Sequence, residues 1–363
     1  MRGGVGGSRP ARSRLKVGID ARELSPASLT GVSRYVRCLT EALARLPDLD
    51  LRLIQDPGPR LLGPHLLMPL RWRRAGVDVL HGPANGLPLV RFGIPGVVTI
   101  HDVAIYDHPE WFVGRQWLST RVLVPRAAAR AAIVICPSQA TRRGVIRHLH
   151  VPEDRCRVIP HGVEAAFSMP LEARRLEALR ADLGLPPHYA LMVGTVQPRK
   201  NVLATLRALA SIPSPERVPL VIVGALGWKY EPVIAAVQDL GLQGQVRFLG
   251  PLAMAQLPGV YQLADVLAFP SYDEGFGLPV LEAFAAGVPV VAGRRGAIPE
   301  VAEGAAILVE PDDHEALAQA LLELGRDPAL RERLVTAGRE RVHSFTWDAC
   351  ARAHADAYRA AAR

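Results

Sequence analysis

Residues Glu274–Val291 read EGFGLPVLEAFAAGVPVV. The short apolar run before them, Val266–Phe269 (VLAF), has the length of a buried strand. Leu278–Ala286 reads as a helix with Pro279 in its first turn, where a missing N–H costs nothing. Val288–Val291 reads as a strand again. Strand, helix and strand within roughly thirty residues form the repeating unit of a parallel sheet. Gly275 and Gly277 flank one aromatic, Phe276, and let backbone N–H groups approach a ligand closely. The helix that follows offers a partial positive charge and unpaired N–H groups, which suit a phosphate. Glu274 lies on the loop and Glu282, eight residues later, on the helix. Carboxylates so placed can each accept hydrogen bonds from hydroxyl pairs.

The same rhythm extends in both directions. Toward the amino terminus lie strand-like runs at Ala190–Val193, Leu220–Val223 and Val246–Leu249, with helical patterns at 201–210, 231–240 and 257–263. Ala306–Val309 is a further strand. An independent series begins at Leu15–Asp20 and continues through Leu51–Gln55, Val77–His81, Val97–His101, Ile133–Pro137 and Val158–Pro160. A helical pattern runs from Val32 to Leu46, and Ser138 caps another that reaches about Leu149. Short buried strands alternating with helices mean a doubly wound parallel sheet. The chain has 363 residues, enough for two domains of about 150–200. The expected organisation is a disordered tail over 1–14, a Rossmann-like domain over 15–165 and a linker over 166–187. A second Rossmann-like domain follows over 188–345, and a helix over 346–363 packs back on the first. Ligands of such sheets bind outside the carboxyl ends of the strands, so the fold class is α/β with two doubly wound domains facing across a cleft.

The loop after Ala190–Val193 reads GTVQPRKN, Gly194–Asn201. Two cations at a helix start are repelled by its dipole, a cost that a bound anion relieves. A departing diphosphate gathers negative charge; Arg offers a planar fork of donors and Lys a compact charge to meet it.

These segments resemble the retaining GT-B glycosyltransferases of family four, the group-one superfamily. Glu274 and Glu282 match the family's Glu-x7-Glu motif, and Arg199 and Lys200 match its diphosphate-binding pair. The resemblance implies that Glu274 contacts the donor sugar and Glu282 the ribose. It implies that the backbone at Gly275, Phe276, Gly277 and Leu278 holds sugar and diphosphate. TGVSRYVRCL (Thr30–Leu39) is similar to the family's glycine loop, with Gly31 near the diphosphate, and Gly194 opens the matching loop of the second domain. HDVAIYDHPEWF (101–112) resembles the segment that puts His101 on the acceptor side. RFLGPLAMAQL (247–257) resembles the nucleobase turn, with Leu252 on the base. Met254 stands where guanine readers can place a carboxylate, which favours a pyrimidine or a loosely specified base. His161 stands where the family commonly has Asn. The resemblance covers residues 15–360.

The expectation is a hexosyltransferase that moves a sugar from a nucleotide-sugar to a hydroxyl acceptor, a glycan or lipid-linked glycan, with retention. Arg199, Lys200, Glu274 and His101 form the reacting centre. No metal and no cofactor beyond the nucleotide-sugar co-substrate are expected. Asp48-Leu49-Asp50 has the D-x-D form but sits in a turn, and His101, Asp102, Asp107 and His108 lack ligand spacing. A nucleotide-sugar epimerase of the same fold, which needs no acceptor, is one rival. A non-catalytic nucleotide- or glycan-binding protein is another. No nucleic-acid-binding module is recognisable.

Residues 1–165 hold 24 Lys and Arg against 13 Asp and Glu; residues 166–363 hold 19 against 22. The excess fits an anionic membrane surface or acceptor at the first domain, with Arg71, Trp72, Arg73 and Arg74 as contacts. The competing account is an arginine-biased composition, since only Lys16, Lys200 and Lys229 are lysines. No apolar run is long enough to span a bilayer and no signal-peptide core is present. The four scattered cysteines lack CxxC spacing. The expected location is cytoplasmic, with peripheral attachment to the inner membrane face as an option.

Overall fold

The computed structural model describes residues 14–24, 30–55, 63–113 and 119–363. Apart from Arg14, the expected tail lies outside the described residues. The first sheet has six strands: β1 (Leu15–Asp20), β2 (Leu49–Ile54), β3 (Val79–Gly82), β4 (Gly96–Thr99), β5 (Ile133–Cys136) and β6 (Cys156–Val158). The second also has six: β7 (Ala190–Val193), β8 (Leu220–Val223), β9 (Val246–Gly250), β10 (Val266–Phe269), β11 (Val290–Gly293) and β12 (Ile307–Val309). Every pairing is parallel. Every residue of β3, β4, β5, β8, β10 and β11 is buried. Helices cover both faces, which is why these strands are near-continuous apolar runs, with His81 on β3 and Thr99 on β4 as the polar exceptions.

The strand orders are β2-β1-β3-β4-β5-β6 and β12-β11-β10-β7-β8-β9. Each order reverses once: between β1 and β3 in the first sheet, and between β7 and β10 in the second. At such a point successive connections leave toward opposite faces and open a crevice at the carboxyl edge. The loops after β1, β7 and β10 end there.

Strand limits depart from expectation by a residue or two. β11 starts at Val290, where Val288 was expected; Pro289 has no N–H to give a ladder and serves as an acceptor for Leu267 N. The stretch expected as a linker carries a helix of its own, Ala173–Leu183. Phe167 is fully buried in the core of the second domain. Leu171, Leu176 and Leu179 crowd Gly259, where a Cβ would come within 2.5 Å of Leu179. The segment is therefore part of the second domain's surface.

The expectation for Trp72 is corrected. Its side chain is 1 % exposed and cannot sit in a membrane interface. Gly18 on β1 leaves a slot in the sheet face; a Cβ there would lie 2.8 Å from the Trp72 ring. The indole fills that slot, packs with Met68, Val77 and Leu80, and donates to the Arg52 carbonyl at 3.0 Å. Arg71, Arg73 and Arg74 remain exposed on the last turn of the Met68–Arg74 helix.

The helix Trp347–Ala361 crosses back and lies on the first sheet beside the Gly31–Ala44 helix. A buried polar seam runs beneath it. His354 Nδ1 meets the Cys350 carbonyl at 2.8 Å. A carbonyl only accepts, so Nδ1 carries the proton and Nε2 accepts from Tyr35 OH, also at 2.8 Å. Tyr35 then accepts from Thr99, Thr99 from His81 Nε2, and His81 Nδ1 from Tyr358, at 2.9, 2.9 and 2.8 Å. Every member is satisfied with both histidines neutral. Burial pushes His81 well below the usual histidine value and His354 down to about 4.

Candidate functional site

The two loops at the second switch point are stitched together before any ligand is considered. Asn201 adopts a left-handed conformation (φ 53°) and sends its side-chain amide to the carbonyls of Pro270 and Pro311 at 3.1 and 2.6 Å. Tyr272 N donates to the Arg199 carbonyl at 2.9 Å. The tight turn Pro198–Lys200 consequently aims both cations at the loop after β10.

Glu274 receives them. Lys200 Nζ lies 2.5 Å from Oε1 and Arg199 Nη1 3.2 Å from Oε2; Arg199 also donates to the Asp273 carbonyl at 2.9 Å. All three side chains are nearly buried, at 9–12 % exposure. Burial alone would raise the Glu274 carboxyl; Lys200 and then Arg199 outweigh it and hold it below the usual carboxylate value. Burial lowers Lys200, and Glu274 restores only part of that shift. Arg199 is raised despite burial, through Glu274, Asp102 and Asp273. Its Nε is buried without a partner. Two cations thus face the Glu274 carboxylate directly, with Asp102 and Asp273 also acting on Arg199.

The glycine loop is shaped by what lies behind it. A Cβ on Gly275 would sit 1.8 Å from the His101 carbonyl, so the two domains touch backbone to backbone there. Gly277, at φ +103°, turns the chain into the Leu278–Ala286 helix. The first domain clasps this loop: Ser138 and Thr141 hydroxyls donate to the Gly275 carbonyl at 2.7 and 3.0 Å. Glu300 reciprocates from the second domain by accepting from Gln139 N and Ala140 N at 2.9 and 2.8 Å. It thereby caps the Gln139–Leu149 helix.

A cavity of about 550 Å³ opens between the domains. Every residue expected at the donor site or reacting centre lines it: Gly31, His101, Gly194, Arg199, Lys200, Leu252, Glu274, Gly275, Phe276, Gly277, Leu278 and Glu282. Leu252, Met254 and Leu257 supply an apolar end. His101 Nε2 donates to the Pro83 carbonyl at 2.7 Å, and burial lowers its pKa. In the resulting neutral ring Nδ1 is an acceptor.

Glu282 is placed differently from expectation. It is 0 % exposed, and both its oxygens are engaged: Oε1 by Arg34 at 2.5 Å, Oε2 by the Tyr261 hydroxyl at 2.6 Å. Arg34 reaches it from the first turn of the Gly31–Ala44 helix, 248 residues away, and also pairs with Glu164 at 2.9 Å. Sequence reasoning missed Arg34, Glu164 and Tyr261. Arg34 lies inside the segment TGVSRYVRCL, but no spacing ties it to Glu282. His161 lines the cavity with its Nδ1 buried and unpartnered, between Tyr35 and Phe276 at ring distances of 4.5 and 4.9 Å. Asp48 is paired with Arg359, and Asp50 with Arg52 at 2.7 Å; neither lines the cavity.

Residues 177–341 match the family model of the glycosyl transferases group 1, and residues 47–167 that of glycosyltransferase family 4. The O-antigen chain mannosyltransferase B of Escherichia coli is 30% identical over 285 residues, 77% of this chain and 74% of that protein. A D-inositol 3-phosphate glycosyltransferase of Corynebacterium diphtheriae is 34% identical over 293 residues, 76% and 68% of the two chains. The solved sucrose-phosphate synthase of Thermosynechococcus elongatus superposes with a TM-score of 0.77 at 25% identity, covering 95% of this chain and 98% of that one. An Anabaena protein crystallised with UDP-glucose gives 0.75 at 20% identity over 94% and 98%, a likeness of fold.

Proposed function

The chain belongs to the group 1, family four glycosyltransferases and is a glycosyltransferase of the two-domain GT-B fold, and we propose that it moves a hexosyl group from a nucleotide-sugar to a hydroxyl acceptor with retention and without a metal. The observation that carries this reading is the cavity at the switch point, where Arg199, Lys200 and the Gly275–Leu278 turn line one wall together. A diphosphate laid there meets the guanidinium, the ammonium and the start of the Leu278–Ala286 helix. As the bond from the anomeric carbon to the phosphate oxygen breaks, the departing oxygen's charge grows against these groups. Each well-aimed donor of this kind contributes about 3–4 kcal/mol. The acceptor oxygen bonds to the same face of that carbon and its proton passes to the leaving phosphate, so no protein base is required. Glu274, ionised by its two cations, accepts from sugar hydroxyls and so orients the ring. His101 Nδ1 accepts from a further hydroxyl. Leu252 packs on the base.

The Escherichia coli relative acts on an O-antigen chain by its name, which supports a glycan acceptor, including a lipid-linked one. An anionic membrane surface is the fitting partner for the first domain. Arg71, Arg73 and Arg74 are exposed, and Arg73 lies over the Phe92 ring of a groove of about 630 Å³ also lined by Arg91, Arg130 and Arg155. The last three donate only to backbone carbonyls, with no carboxylate beside them among the described residues, and Leu89 and Val90 at the rim are about 40 % exposed. No helix among the described residues is long and apolar enough to cross a membrane. Four free, buried cysteines fit a reducing, cytoplasmic setting.

The test is a panel of nucleotide-sugars scored for thermal stabilisation and slow hydrolysis, with and without a chelator. One donor should stabilise and turn over, and the chelator should change neither. Stabilisation without turnover in the presence of glycan acceptors would favour a binding protein. Activity lost to chelator and restored by magnesium or manganese would overturn metal independence. Sedimentation with anionic and neutral vesicles at two salt concentrations tests the membrane reading; equal binding to both removes it.

A further inference from the structure

We infer that Arg34, on the first domain, is a positioning residue that completes the ribose subsite of the second, so that discrimination for a donor's 2′,3′-diol exists only when the two domains are together. This rests on the reading that Glu282 takes the donor ribose. Glu282 is buried on the Leu278–Ala286 helix and lines the cavity. A buried carboxylate needs a paired cation and hydrogen bonds to be held in one orientation. Arg34 supplies the cation, with one guanidinium nitrogen 2.5 Å from Oε1. Burial would lower the arginine itself, and Glu282 together with Glu164 more than reverses that. The other end of the guanidinium is fixed by Glu164, with Nη2 at 2.9 Å and Nε at 3.4 Å, and lies 5.6 Å above the Phe167 ring. Glu164 has a second cation, Arg37, at 3.8 Å.

On the opposite side the Tyr261 hydroxyl donates to Oε2 at 2.6 Å. Burial and then the neighbouring carboxylate raise Tyr261 well above the usual tyrosine value, so it stays a donor. Each carboxylate oxygen has two acceptor positions. With one used on each, the remaining pair can take the two hydroxyls of a vicinal diol. Tyr261 and Glu282 travel with the second domain, whereas Arg34 travels with the first. A domain that swings away removes the contact that fixes Oε1, and the carboxylate is no longer held to meet two hydroxyls at once. Donor ribose and domain closure are thereby coupled through one side chain.

The experiment measures binding of UDP and GDP, each beside its 2′,3′-dideoxy counterpart, to the full chain by calorimetry. Hydrogen bonds to an ionised group contribute about 1.5–3 kcal/mol. The native protein should therefore favour the ribonucleotide by about tenfold to a hundredfold. In Arg34→Gln the preference should fall to near onefold while dideoxy affinity holds. Arg34→Lys, which can reach one glutamate at a time, should lie between; it also serves should the glutamine variant not fold. A native-size preference retained in either variant overturns the inference. Absence of any preference in the native protein overturns the ribose role of Glu282, and the inference with it. A merely structural arginine would weaken both ligands alike and leave the ratio unmoved.

Discussion

Glu274 and Glu282 stand eight residues apart, both buried, both bound to cations, and they differ in where those cations come from. Glu274 is neutralised by Arg199 and Lys200 of its own domain, and the pair outnumbers it. Glu282 shares Arg34 of the first domain with Glu164, which also has Arg37, and it has a tyrosine on its other side. The first cluster has positive charge to offer an anion. The second has acceptor capacity to offer hydroxyls, and it ties two domains together. Paired cations at a loop suit the leaving group, and a carboxylate with open acceptor positions suits the part of the donor that does not react.

Substitution should separate the two clusters. Glu282→Ala is expected to have the largest effect on stability. It leaves one nitrogen of the buried Arg34 guanidinium and the buried Tyr261 hydroxyl without a partner, a loss of up to about 3–5 kcal/mol for one partner of a buried pair. Thermal unfolding should show a clear drop in Tm, and calorimetry a weaker donor. An unchanged Tm would mean that the network contributes nothing across the cleft. Arg199→Ala and Lys200→Ala should act the other way. Each leaves Glu274 one cation, so folding survives, while turnover falls by about two orders of magnitude. Near-normal rates in both would remove the diphosphate role. Glu274→Gln would refine the contrast, as it frees both cations and removes an oxygen acceptor; it should lower kcat more than donor affinity.

Acid should reach the first domain before it reaches Glu274. His81, His161 and His354 are held neutral by burial, with His354 down at about 4. Unfolded histidines take protons at about pH 6.5. The stability that the buried neutral rings contribute is present above that value and lost as pH falls toward 4. At pH 5.5 the loss is about 1.4 kcal/mol for each such histidine. Glu274 lies below the usual carboxylate range and stays ionised there. Melting at pH 7.5 and pH 5.5 should show the lower Tm in acid. A flat profile would contradict the proton order assigned to the Tyr358–His81–Thr99–Tyr35–His354 seam.

The sequence by itself determined the alternating strands and helices, and with them two parallel sheets, because a strand buried on both faces must be written as a near-continuous apolar run. It also determined the Glu274 cluster. PRKN and EGFG each lie in the loop that follows a strand, and neighbouring strands at a switch point bring their loops together whatever the rest of the chain does. Three matters were decided only by the tertiary structure. Trp72 reads as an exposed aromatic among arginines until Gly18, on another element, provides its slot. The 166–187 stretch reads as a linker until leucines of its own helix find Gly259. Arg34 reads as one of many arginines in a basic half until the domains close and put it 2.5 Å from Glu282. Each depends on a partner at long range, and periodicity and spacing carry information only about neighbours along the chain. Which of the 43 cations meets which carboxylate was settled by how two rigid sheets pack against each other.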